Sequence, residues 1–173
     1  MSDTFITIIV IVVVALVMFA FPLITTANQN DKITQSSVQA IVSDFVNTAA
    51  KEGKITTENY DNFIQRLYAT GNTYNIDLEV QVLDDNPGKK GTNIDTIGEN
   101  IYYSVYTNTI QNELETKNVY LLKQGDYVKA RVQNTNVTFG TQLKNLLYSL
   151  VGKDTIVIEA KDSALVIKTG KNK

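Results

Sequence analysis

The chain has 173 residues, a formal charge of −2, and neither cysteine nor histidine. These absences exclude thiolate and imidazole metal ligation, a cysteine nucleophile, a serine-histidine-aspartate triad and any disulfide. Residues 51 to 173 carry 15 acidic and 15 basic side chains, so no basic face is offered to nucleic acid.

The stretch Phe5 to Ile24 contains 20 residues without a charge, and 15 of them are Phe, Ile, Val or Leu. As a helix it would reach about 30 Å, the thickness of a bilayer's hydrocarbon core. Its apolar residues favour insertion by roughly 5 to 9 kcal/mol. A buried strand is excluded by length and by Pro22. No basic residue precedes the run and Thr25-Thr26-Ala27 is a weak cleavage site, so a retained span is expected rather than a signal peptide. Ser2 can cap this helix, Asp3 suits its dipole, and the Thr7 hydroxyl can bond back to the Asp3 carbonyl. Pro22 is expected to kink the helix without ending it.

Beyond the polar stretch Asn28 to Lys32, the residues Val38, Ile41, Val42, Phe45, Val46, Ala49 and Ala50 form one apolar stripe at helical spacing, closed by Gly53. The spacing predicts a single long helix over residues 4 to 51, apolar all round in its first half and on one face in its second. No Gly, Ser or Pro linker separates the halves, so the helix is built into the domain that follows. The domain reading is a transmembrane helix at residues 1–27 and a folded domain at 28–173.

A second helix is predicted from Thr57 to about Thr70, with Tyr60, Phe63, Ile64, Leu67 and Tyr68 on one face and Gly71 at its end. The period then changes to two, and Ile76, Leu78, Val80 and Val82 mark a half-buried strand. Asp84 to Gly91 is turn chemistry opening a loop to about Asn100. Further strands are predicted at Ile101–Thr107, Val119–Leu122 and Val128–Val132, with a short helical piece around Ile110–Glu115. Phe139, Leu143, Leu146, Leu147 and Leu150 form a helix stripe ended by Gly152. Thr155–Ala160 and Ala164–Thr169, separated by Lys161-Asp162-Ser163, give a hairpin or one long bent strand. The fold class is α+β, with the amphipathic half of the long helix covering a small antiparallel sheet of four or five strands.

This layout resembles the pilin-like subunits of type IV filament systems, and within them the TadE/TadG-type minor pilins of tight-adherence systems. The carrying residues are the proline-containing apolar helix running without a linker into the amphipathic one, then the strand Asp126 to Asn134 and the closing TIVIEAKDSALV at Thr155 to Val166. The resemblance implies a structural, single-pass membrane subunit of a cell-surface filament or secretion apparatus, with its C-terminal domain outside the cytoplasm. It implies partners in the bilayer and in other pilin-like subunits, with self-association through the N-terminal helix. The assembly residues it suggests are Asp3, Pro22, Val38, Ile41, Val42 and Phe45. The chain departs from the family pattern in having no Gly before Phe5 and no Glu just inside the apolar run, so it is either mature as it stands or not processed by a prepilin peptidase.

The sequence holds other constellations. Asp84, Asp85, Asn86 and Asp95 could gather around Ca²⁺, but they do not fit the EF-hand pattern, and turns use these residues anyway. Tyr60, Tyr68, Tyr102, Tyr103, Tyr106 and Tyr120 could stack on sugars, although periodicity also explains them as core and sheet surface. Asn136-Val137-Thr138 matches a glycosylation sequon. Asp77 and Glu79 lie on the polar face of a strand, where solvation keeps carboxylates ordinary. No catalytic constellation, cofactor site or metal site is predicted. The alternative reading is a membrane-anchored binding module for a glycan or protein ligand.

Overall fold

The computed structural model describes residues 2–84, 101–147 and 157–171. One helix, α1 (Ser2–Glu52), runs unbroken for 51 residues and carries Pro22 inside it. Thr7 donates to the Asp3 carbonyl at 2.7 Å, as expected, and Thr25 donates to that of Phe21 at 3.0 Å. Both hydroxyls are thereby satisfied by the helix's own backbone. The most apolar 18-residue stretch of α1 is not buried at all, and the helix is long and apolar enough to span a membrane.

Burial begins at Ala27. From there Val38, Ile41, Val42, Phe45, Val46, Ala49 and Ala50 all enter the core, which is the stripe that the spacing predicts. The helix ends at Gly53, whose φ of 70° and N–H to the Ala49 carbonyl make a left-handed cap. Only glycine fits here, because a Cβ would come within 2.0 Å of the Lys168 carbonyl oxygen.

A short strand β1 (Lys54–Thr56) leads to α2 (Thr57–Tyr68), whose N-cap Thr56 accepts from the Asn59 amide at 3.2 Å. Tyr60, Phe63 and Leu67 are buried, and Phe63 stacks on Phe45 with ring centroids 4.3 Å apart. The strands β2 (Tyr74–Leu83) and β3 (Tyr102–Tyr106) follow, then α3 (Thr107–Lys117), β4 (Val119–Leu121), β5 (Tyr127–Asn134), α4 (Phe139–Leu147) and β6 (Glu159–Leu165).

The main sheet has four strands in the order β3-β2-β5-β6, antiparallel throughout. α1 lies along β6, where Ala160 and Ala164 leave room for close approach. Side chains of α1 bond directly to that strand's backbone: Gln35 donates to the Glu159 carbonyl at 2.6 Å and accepts from its amide at 3.1 Å, and Gln39 donates to the Lys161 carbonyl at 3.1 Å.

Two expectations are refined. β4 does not join the main sheet but pairs with β1, a strand with no alternation long enough to be recognised in the sequence. Of the two readings of the closing stretch, the single strand holds and the hairpin does not: Lys161-Asp162-Ser163 sit inside β6, paired with Arg131, Ala130 and Lys129. The physical reason is that Ile158, Ala160, Ala164 and Val166 keep one even-numbered inward face, with no Gly or Pro to reverse the chain. Leu150, Gly152 and Thr155, which the sequence reading placed at the ends of a helix and a strand, lie outside the described residues.

Candidate functional site

Of the six expected assembly residues, Asp3 and Pro22 lie on the exposed half of α1. Val38, Ile41, Val42 and Phe45 are instead buried within the same chain's core. The junction between the halves is fixed by Asp31, which is 8% exposed and whose Oδ2 accepts from the Thr138 hydroxyl at 3.1 Å. Thr138 in turn accepts from the Thr141 amide at 3.2 Å and caps α4. The Asp31 carboxylate thus sits at the N-terminus of α4, against Gly140, where a Cβ would collide with it.

The other notable surface is a groove of about 1100 Å³ where the sheet, α2 and α3 meet. It exists because the two neighbours of β2 differ in length. β5 pairs with β2 from Tyr74 to Gln81, whereas β3 pairs only from Glu79 to Leu83. Among the described residues, the strand therefore has a pairing strand on one side only between Tyr74 and Leu78. Thr107, at the start of α3, closes the end of the gap: its hydroxyl accepts from the Leu78 amide at 2.7 Å and donates to the Leu78 carbonyl at 3.2 Å. α2 lines the groove with Tyr60, Ile64 and Tyr68. Gln111 of α3 reaches across to the Tyr60 hydroxyl at 2.8 Å.

The polar face of the sheet borders the same groove. Glu79 accepts from Ser104 at 2.6 Å and from Gln81 at 3.2 Å and lies 3.7 Å from the Lys129 ammonium. These interactions, the Ser104 bond foremost, hold its carboxyl below the ordinary value despite an opposing effect of partial burial. It is an ionised carboxylate near neutral pH, unsuited to general acid catalysis. The buried Tyr120 phenol is pushed up to about 12, by burial first and then by the charges of Asp126 and Glu113, and stays neutral.

Of the expected tyrosine set, the fold brings Tyr60, Tyr68 and Tyr106 to the groove and adds Tyr74. Tyr102 instead meets Tyr127 edge-on at 5.5 Å, and Tyr120 is buried. Asp85, Asn86 and Asp95 of the expected cation loop lie outside the described residues. Among the described residues no cluster of acidic side chains could hold a metal ion. The sequon is engaged in the fold: Asn136 donates to Asn72 at 2.9 Å and accepts from the Thr73 amide at 3.0 Å. Ile76 and Thr107 stand in the sequence only as strand positions and Tyr74 not at all, because the groove arises from a mismatch of strand lengths rather than from any motif.

The fold and these surfaces define an α+β protein whose long N-terminal apolar helix is continuous with the cover of a small antiparallel sheet. No family model matches the chain, nor does any curated protein or solved structure.

Proposed function

We propose that the chain is a membrane-anchored structural subunit of the pilin-like kind, in which the apolar half of α1 packs against lipid and against copies of itself or related subunits. The domain at 28–173 then faces outside the cytoplasm. The role is structural, not catalytic. The observation that supports it is the unbroken course of α1 from a fully exposed apolar half into the core of the domain. A helix locked at one end by Asp31, Gln35 and Gln39 transmits the domain's orientation rigidly to the membrane half, which a flexible tether would not do. Asp3 and Pro22 are the residues of the exposed half expected to register neighbouring helices, while the charge of Asp3 also complements its own helix dipole. The test is cross-linking of the full chain in native membranes against a form lacking residues 1–27. Ladders of higher oligomers, lost on the deletion, are expected; a full-length chain that stays monomeric at high membrane density would sink the reading.

A second reading, a membrane-anchored binding module, is favoured by the groove between α2, α3 and the sheet. It needs no self-association, only an anchor and a site.

A further inference from the structure

The open stretch of β2 has a defined hydrogen-bonding side. Along this sheet the odd-numbered residues of β2 direct their backbone groups toward β5, as the Thr135 amide to the Thr73 carbonyl shows at 2.8 Å just beyond the paired rows. The even-numbered residues point the other way. Val80 and Val82 face β3, the Asp84 amide meets the Ile101 carbonyl at 2.8 Å, and Leu78 is satisfied by Thr107. The next members of this series are Ile76 and Tyr74. Their N–H and C=O groups point into the groove, where no described residue pairs with them.

We propose that the groove binds an extended peptide segment of another polypeptide, which adds to β2 as a short strand in line with β3. The proposal rests on the binding-module reading and is independent of filament assembly. Backbone groups with a two-residue repeat select an extended peptide backbone, since a sugar has no matching series of alternating donors and acceptors. The open stretch from Tyr74 to Leu78 is about 13 Å long, enough for four or five residues of the incoming strand. Parity fixes its side chains. A residue opposite Ile76 turns its side chain toward Tyr60, Ile64 and Tyr68 and should be apolar.

A residue opposite Asp77 lies on the polar face. Asp77 is exposed, and Arg131, its neighbour in the register, already donates to Glu159 at 2.8 Å. Among the described residues, Asp77 itself meets only the Asn75 amide, at 3.4 Å or beyond. A basic residue on the incoming strand completes that face. The ligand is therefore an extended segment alternating apolar with basic or polar residues, and Thr107 stops it from running past Leu78.

The probe is a fluorescein-labelled heptapeptide alternating valine with lysine, added to the full chain in detergent micelles. Its valines take the positions opposite Ile76, so their amides face β2 while the lysine amides face away. Saturable binding is expected. N-methylation of the valine amides should weaken it by about tenfold or more, and N-methylation of the lysine amides should leave it nearly unchanged. Hydrogen exchange should show the Ile76 amide open in the free protein and protected by the peptide. Equal binding by both methylated peptides would mean that charge or apolar contact alone holds it, and would overturn the proposal. So would an Ile76 amide already protected in the free chain. If a linear tetrasaccharide protects Ile76 and Tyr68 while the peptide does not, the peptide is ruled out and the binding-module reading survives; if neither ligand protects them, both fall.

Discussion

Glu79 is the side chain whose ionisation the fold most clearly recruits, because Ser104, Gln81 and Lys129 converge on it from neighbouring positions of the sheet. Its folded pKa lies below the ordinary 4.5, so the ionised form contributes stability that is fully present above that value. The contribution is lost as pH falls through the lowered pKa. Glu79→Gln keeps the hydrogen-bonding shape and removes the titration. Denaturant midpoints taken between neutral pH and about pH 3 should therefore fall less steeply in the variant than in the parent. Solvent screening makes the difference modest, since the side chain is 29% exposed. Identical acid slopes would place the acid sensitivity on other carboxylates. The sequence rightly put Glu79 on a polar strand face but wrongly expected an ordinary carboxylate there, because Ser104 and Lys129 lie 25 and 50 positions away and only the register brings them to it.

Among the elements, the ones most legible in the sequence are those with long, uninterrupted periodicity. The stripe from Val38 to Ala50 is inside the core as the spacing requires, and so are Leu78, Val80 and Val82 of the alternation, with Ile76 partly buried at its edge. The two-stranded sheet was not legible as such, because three residues cannot establish a period and β1 owes its pairing to the turn at Gly53. The groove was less legible still, since it depends on where β3 stops relative to β2. The central contact between elements is Phe45, which is 5% exposed and packs against Phe63 and Tyr60 of α2. Phe45→Ala should destabilise the domain by about 3 to 5 kcal/mol in a denaturant melt, from lost burial and the cavity left behind. A change below about 1 kcal/mol would mean that α1 does not cover this core in solution.

For the whole molecule, the division of α1 sets what each half needs. The side chains of Phe19 and Phe21 are 75% and 71% exposed, and isolated in water such a surface would drive aggregation. From Ala27 onward the helix is held by the domain itself, first by the contact with Gly140, then by the Asp31 bond to Thr138, and then by Gln35 and Gln39 on β6. None of these contacts uses a residue before Ala27. Among the described residues, a fragment covering residues 28–173 thus loses the Ala27 contact and the partial cover of Ile24, and it sheds the continuous exposed apolar surface of the first half, while scattered exposed side chains such as Ile33, Phe139 and Ile167 remain. The stripe that remains has a single apolar face, already covered by the sheet and α2. This fragment is expected to be soluble without detergent, to sediment as a monomer and to melt cooperatively, whereas the full chain should require detergent or lipid. Insoluble or non-cooperative fragment would show that the apolar half contributes to the fold itself. A soluble fragment that still self-associates would move the assembly surface from α1 onto the domain.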